Sequence, residues 1–218
     1  MSLSEHLKSI LRIVHLGNLK EVKEYVKTIC YDQRPIVLES SACIAVNKGE
    51  NKEIISWLVS KGTRDNKYAQ YNVGCAYHNG DGVPVDKEKS VFWYIKAADQ
   101  GFAKAQYRIG LAYYNGDGIP VDQSIGVLWW LKAADQELAK AQNLVGFAYY
   151  YGQGVAVNKA LGVEWYIKAA SQGLVDAQYN LGDVFTDKSI RMYWYRKAAA
   201  QGHVDAQFEL DKLSIFLE

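Results

Sequence analysis

Hydrophobic residues in this chain recur at helical spacing, and short polar turns interrupt them at regular intervals. After Tyr68, apolar positions follow one another three and four residues apart, at Ala69, Val73 and Ala76. This spacing places them on one face of a helix. A turn rich in glycine comes next, and a second apolar run ends at Ala97-Ala98. The pattern predicts a pair of helices joined by a tight turn.

The helix-pair pattern returns every 36 residues, so that residues 68–103 are followed by similar segments at 104–139 and 140–175. A fixed period of this length is typical of a solenoid. We therefore predict an all-α, right-handed α-solenoid of stacked antiparallel helix pairs over residues 67–218. A fourth unit, 176–204, is shortened between its helices, and 205–218 is predicted to be a terminal capping helix.

Two kinds of residue occupy constant positions in these repeats and are predicted to be structural. Glycine inside a helix costs about 0.5–1 kcal/mol relative to alanine, so a repeated one indicates that a partner packs closely against the backbone. A large aromatic residue before paired alanines is typical of an interdigitated core. These structural positions are Gly74, Gly110, Gly146 and Gly182 in the first helices, and Trp93, Trp129, Trp165 and Trp194 in the second.

The turns between the helices contain paired glycines such as Gly80 and Gly82, which suit positive φ angles rather than phosphate binding. Asp86, Asp122 and Asn158 follow them as predicted N-caps of the second helices.

The constant residues closely resemble the Sel-one-like repeat family, which is related to the tetratricopeptide repeat. Its pattern, A-Q-Y-x-[LIV]-G-x-x-Y-x-x-G-x-G-V-P-x-D followed by W-Y-x-K-A-A-x-Q-G, is matched nearly in full by 69–101 and 105–137. The resemblance implies a scaffold for protein–protein interaction. It also implies that the first helices line a concave surface.

Residues 1–66 carry two further helix pairs, with breaks at Gly17 and Gly49 that lie 32 residues apart. The second pair, 41–62, resembles an ankyrin repeat without the T-P-L-H turn of that family. Two such repeats are too few to be stable alone. We therefore expect residues 1–66 to form an ankyrin-like cap on the repeats that follow, with a plain helical hairpin pair as the alternative.

Variable positions on the first helices are the candidate partner-binding surface. Tyr71, Cys75 and His78 follow one another at i, i+4 and i+7, and later repeats carry mostly apolar or aromatic side chains at the same places. Tyrosine-rich apolar grooves recognise peptides and helices. The predicted contact residues are Tyr71, His78, Tyr107, Leu111, Tyr114, Phe147 and Tyr150. Alternatively, the column that begins with Tyr71 fills the seam between repeats.

Charge and composition narrow the function further. The net charge is +1, which gives no global field to recruit nucleic acid. The chain lacks an 18-residue apolar run, a secretory signal pattern and metal-ligand spacing of its four histidines. We expect no catalytic residues, no metal, no cofactor, no membrane insertion and no obligate oligomer. Three cysteines without paired spacing favour a reducing cytoplasm.

The leading hypothesis is a non-enzymatic scaffold or adaptor that binds a peptide or helix of another protein in the concave groove. A narrower alternative is an immunity or inhibitor protein for a neighbouring toxin or effector. A binder of small molecules or cell-wall fragments, or a hydrolase, is the less favoured class. The joint resemblance to ankyrin-like and Sel-one-like repeats implies a bacterial protein, cytoplasmic or translocated into a host cell as an effector.

Overall fold

The computed structural model describes residues 5, 8–10, 12–13, 19–28, 66–81 and 83–215. Regular secondary structure in these residues is helical throughout, as the sequence predicts. The helices whose bounds are defined are α1 (Leu19–Thr28), α2 (Lys67–Asn79), α3 (Lys87–Asp99), α4 (Ala103–Asn115), α5 (Gln123–Ala134), α6 (Ala139–Tyr151), α7 (Lys159–Ser171), α8 (Val175–Val184), α9 (Lys188–Ala199) and α10 (Val204–Ile215).

The chain divides into two compact units. Unit 1 comprises Met1–Ala112 with Gly116–Pro120, and unit 2 comprises Tyr113–Asn115 with Val121–Glu218. Of the predicted N-terminal cap, the helix α1 is described, with Val22 buried, as is Ile10 further upstream. The second ankyrin-like pair at 41–62 lies outside the described residues.

In unit 1, α2 packs against α3, which is the helix pair predicted from the apolar spacing. Its core contains Ala69, Val73 and Ala76 from α2, together with Tyr94 and Ala97 from α3. Because alanine leaves little side chain between the helices, their backbones approach closely and the larger Tyr94 ring fills the remaining space.

In unit 2, the helices pack in sequence order, α5 on α6, α6 on α7, and so on to α10. The Tyr166 ring is buried with Ala169, Ala170, Ala177 and Leu181 in one cluster. A second cluster contains Tyr195 and Ala198 from α9 and Ala206 from α10, all buried. The shortened fourth pair, α8 and α9, is joined by only residues 185–187.

An aromatic ring of the second helix packs on the glycine of the first helix. A Cβ built at Gly146 would stand 2.7 Å from Cδ1 of Tyr166, and one built at Gly74 would stand 2.5 Å from Cδ1 of Tyr94. Gly182 is covered in the same way by Tyr195. The predicted close approach is therefore present, and the ring that uses it belongs to the residue after the tryptophan.

The predicted N-caps of the second helices are confirmed. The side chains of Asp86, Asp122 and Asn158 accept hydrogen bonds from the backbone N–H three residues later, at 2.9, 3.0 and 3.1 Å. Asp187 does the same for α9, at 2.9 Å from Ile190 N. These caps satisfy backbone donors that the first turn of a helix leaves unpaired.

The turn after α6 shows why this loop needs two glycines. Gly152 ends the helix at φ 75° and Gly154 adopts the same φ. A Cβ on Gly154 would also lie 2.6 Å from the backbone carbonyl of Gln123, at the start of the preceding second helix. The second glycine therefore lets one repeat contact the backbone of the repeat before it.

A buried glutamine recurs in every first helix and connects the helices around it. The amide nitrogen of Gln142 donates to the carbonyl of Ala134, at 3.3 Å, and its oxygen accepts from Gln172, at 2.8 Å. The equivalent residues Gln70, Gln106 and Gln178 are also buried. A buried amide must be hydrogen-bonded to be tolerated, so these residues fix how successive helices meet.

Candidate protein-binding surfaces

The predicted contact residues of unit 1 lie on α2 and α4, where Tyr71, His78, Tyr107 and Leu111 are all partly buried. The Tyr71 ring lies 5.6 Å from the Tyr94 ring and 5.1 Å, edge-on, from that of Phe102. Its hydroxyl also accepts a hydrogen bond from the Arg108 guanidinium. These contacts favour the alternative reading of Tyr71, in which it fills the seam between repeats.

Cationic groups surround His78. Lys87 Nζ lies 3.2 Å from both ring nitrogens of His78 and donates to the His78 carbonyl at 3.1 Å. Burial lowers the pKa of His78, and the positive charges of Lys87 and Arg108 lower it further, while Asp117 acts in the opposite direction. Burial and the two positive charges therefore disfavour protonation of the imidazole.

Unit 2 presents a different surface at the ends of α4 and α6. Tyr114 is half-buried, with its ring 5.0 Å from that of the buried Trp130. Tyr150 is also half-buried, since it packs beside the Tyr166 cluster and its hydroxyl lies 3.5 Å from the carbonyl of Val184. Both residues therefore have packing partners of their own.

The more accessible aromatic side chains of this surface are Phe147 and Tyr151. Phe147 is 36% exposed and Tyr151 50% exposed, and their ring centroids lie 4.9 Å apart. We call this pair the unit 2 aromatic pair. Burial raises the pKa of Tyr151, and the negative charge of Asp183 raises it further, which keeps the phenol neutral.

Two further tyrosines, Tyr179 on α8 and Tyr195 on α9, lie in the C-terminal part of unit 2. The Tyr179 ring stacks on His203, with centroids 4.5 Å apart and planes 8° apart. Tyr195 donates to the Asp183 carboxylate at 2.6 Å. Burial and Asp183 both raise the pKa of Tyr179. This part of unit 2 thus places the Asp183 carboxylate among tyrosines, with the Arg191 guanidinium 3.4 Å from the Tyr195 hydroxyl.

The four tryptophans predicted to be structural are only partly buried, whereas the aromatic residue that follows each of them is buried. Ammonium groups cover two of the indoles: Lys132 Nζ lies 4.0 Å from the Trp129 ring and Lys168 Nζ lies 3.9 Å from the Trp165 ring. A lysine stem that covers apolar surface in this way keeps its charge in water.

A cavity of about 490 Å³ lies in unit 2 beside Trp165 and Lys168, with Asp135, Glu137 and Ser171 in its wall. Glu137 has φ 62° at a position where the neighbouring repeats have glycine.

Within the described part of the chain, no three His, Cys, Asp or Glu side chains are placed to hold a metal ion. Nor does any helix there have the length and apolar content to cross a membrane.

Sequence reasoning missed Arg108, Lys87 and the buried glutamines. The glutamines were detectable, because a polar residue stands at the same core-facing place in four repeats. At the position of Arg108, the other repeats have Asn72, Leu144 and Asn180. The only sequence indication for Arg108 was therefore one charged residue at a position that varies between repeats.

A family model described as the Sel1 repeat matches residues 67–102, 103–138, 139–174, 175–189 and 192–203. No curated protein is significantly similar to the chain. Among solved structures, a Sel1 repeat protein from Oxalobacter formigenes is 31% identical with a TM-score of 0.72, over 79% of this chain and 74% of that one.

A second similar structure is a protective antigen of uropathogenic Escherichia coli strains that displays an SLR fold. It is 28% identical with a TM-score of 0.77, and the match covers 96% of this chain and 51% of that one. The present chain thus spans about half the length of that antigen. The matched repeats cover more than half of the chain, with glycine, alanine and aromatic positions that the structure places in its core. The chain belongs to the Sel1 repeat family.

Proposed function

We propose that this protein is a non-enzymatic scaffold that binds a segment of a partner protein along the faces of its first helices. Helical repeats of this family are typical protein-interaction modules. The observation that carries the proposal is the unit 2 aromatic pair, Phe147 and Tyr151, which stays accessible although the opposite face of the same helix is buried.

Exposed aromatic residues on a rigid helix suit partner recognition for a physical reason. They offer a large apolar contact area and lose little conformational freedom on binding. On α6, Ala141, Val145 and Ala148 already form the core, so Phe147 and Tyr151 are not needed there. Substituting the pair should therefore change binding without unfolding the chain.

The test is affinity capture from the native cell with the tagged full chain, comparing two double variants. Phe147→Ser with Tyr151→Ser removes the aromatic pair. Phe92→Ser with Tyr193→Ser removes two rings that are 52% and 50% exposed on the second helices α3 and α9. We expect the first variant to lose a partner that the second variant and the unmodified chain retain.

Circular dichroism on both variants checks that they remain folded. If the first variant captures the same partners in the same amounts, the first-helix surface is not the binding site. If only the second variant loses the partner, recognition lies on the second helices instead.

A further inference from the structure

Three nitrogen-bearing side chains converge on one face of unit 1, and we call this group, His78, Lys87 and Arg108, the basic cluster. Lys87 Nζ contacts the ring and the carbonyl of His78, at 3.2 and 3.1 Å. Arg108 lies on α4, where its guanidinium bonds the Tyr71 hydroxyl, and its charge acts on His78 together with the opposing charge of Asp117. The ion pairs found among the described residues, Lys89 with Asp86 and Lys212 with Glu209, do not include this cluster.

Arg108 has more hydrogen-bond donors than Lys87, the other cation of the cluster. A guanidinium carries five N–H donors, and the hydrogen-bond partner that the described residues supply is the Tyr71 hydroxyl. The groups that act on it most strongly, Tyr71, Tyr94 and Cys75, are two phenols and a thiol, and none of them is a carboxylate. A partly buried guanidinium in such surroundings is suited to a carboxylate, which it can bind through two parallel hydrogen bonds.

The corresponding places in the other repeats show that this charge is not required by the fold. Position 108 corresponds to Asn72, Leu144 and Asn180, and the Asn143 and Asn180 side chains make the equivalent contact at 2.9 Å. Lys87 corresponds to Gln123 and to Lys159 in the next two repeats, so a lysine at this place also occurs elsewhere in the chain. Of the two cations, the Arg108 guanidinium is therefore the one particular to this face.

We propose that the basic cluster of unit 1 binds the acidic side chains of a partner segment rich in aspartate and glutamate. A carboxylate at Arg108 would use donors that the Tyr71 hydroxyl leaves free, and a second one would meet Lys87. This inference rests on the proposed function, because it states which kind of partner segment would bind the candidate surface of unit 1.

The experiment measures binding of a fluorescein-labelled, C-terminally amidated peptide of alternating glutamate and alanine to the full chain, by fluorescence anisotropy. The same peptide with glutamine in place of glutamate removes the charge. The Glu peptide with a free C-terminus tests whether a terminal carboxylate is preferred. Arg108→Leu with Lys87→Gln replaces both cations by the residues that this chain uses at 144 and 123. Lys159→Gln removes the equivalent lysine of unit 2 as a control.

We expect the Glu peptide to bind the unmodified chain and the Lys159→Gln variant equally. The Arg108→Leu, Lys87→Gln variant should bind at least about tenfold more weakly, which corresponds to losing about 1.4 kcal/mol of binding free energy. Raising the salt from about 50 to about 300 mM should weaken binding to the unmodified chain, because exposed charges are screened.

Equal binding of the Glu and Gln peptides overturns the proposal, as does equal affinity of the unmodified chain and the double variant. Absence of binding at about millimolar peptide, a dissociation constant worth about −4 kcal/mol, overturns it as well. Binding that occurs only when the peptide has a free C-terminus also overturns the proposal, because the cluster would then recognise a terminal carboxylate instead of acidic side chains. A partner that is lost on changing Phe147 and Tyr151, combined with no effect of the basic cluster, refutes this inference while the proposed function stands.

Discussion

The ring of Tyr166 lies on the backbone of Gly146, so close that a Cβ at Gly146 would stand 2.7 Å from the ring and 3.0 Å from the Gly162 carbonyl. Gly146→Ala should therefore destabilise the chain by about 1–3 kcal/mol, the usual cost of overpacking a core. The higher helix propensity of alanine offsets only about 0.5–1 kcal/mol of that. Denaturant unfolding followed by circular dichroism measures the change.

A double-mutant cycle controls for effects unrelated to the ring. Tyr166→Leu removes the atoms that the new methyl group would meet, so Gly146→Ala should cost less in its presence. An alanine variant as stable as the unmodified chain would show that the glycine is not needed for close packing.

Glu137 adopts φ 62°, in the left-handed region where Gly101, Gly173 and Gly202 stand at related turns. A side chain in this region costs roughly 1–2 kcal/mol, so Glu137→Gly should stabilise the chain by about 1 kcal/mol after the entropy of glycine is subtracted. Thermal unfolding measures the gain.

The matched control is Asp135→Gly, two residues earlier, where φ is −64° and the backbone is right-handed helical. That change should lower stability by about 0.5–1 kcal/mol. The same direction of change in both variants would contradict the assignment of strain to position 137.

Gln142 is buried and holds two helix ends together, since it donates to Ala134 and accepts from Gln172. Gln142→Ala should cost about 2–3 kcal/mol, because buried groups lose their partners and a void remains. Gln207→Ala, at an exposed glutamine that donates to the Asp211 carboxylate at 2.8 Å, should change stability by less than about 0.5 kcal/mol. Comparable losses in the two variants would exclude a special role for the buried amide.

The lowered pKa of His78 makes stability depend on pH. Folding favours the neutral imidazole, which burial and the charges of Lys87 and Arg108 promote against the opposing charge of Asp117. Protonation is therefore easier in the unfolded chain, and stability falls as the pH drops through the ordinary range of histidine, about 6.5.

We expect the unmodified chain to lose more thermal stability than His78→Gln between about pH 7.5 and about pH 5.5. The carboxylates that titrate in this interval are shared by the two proteins, so the difference isolates the histidine. Equal losses of thermal stability in the two proteins would mean that the pKa of His78 is not lowered by folding.

The repeat period revealed the helix pairs, the caps at Asp86 and Asp122 and the close approach at Gly146, because each depends on local spacing and recurs in the chain. The structure adds that the ring after each of the predicted tryptophans is buried more deeply than the tryptophan itself. Neighbouring aromatic residues on a helix differ by about 100° in direction, so Tyr94 is buried while Trp93 beside it is half-buried.

The candidate surface was harder to predict than the fold. Tyr71 and Tyr150 look variable in the repeat alignment, yet both have packing partners from helices distant in sequence. Arg108 could be identified as a candidate binding residue only from the structure, because folding brings it together with Tyr71, Tyr94 and His78. Pairwise proximity of this kind is a property of the tertiary structure, and periodicity does not contain it.

The hydrogen bonds of Gln142 reach eight residues back to Ala134 and 30 residues ahead to Gln172, and both partners recur with the period of the chain. A duplicated 36-residue segment would therefore carry its own donor and acceptor and would meet its neighbours through the same bonds. Such a chain can gain or lose whole units in evolution without a new interface having to arise. Its length can be adjusted to a partner one unit at a time.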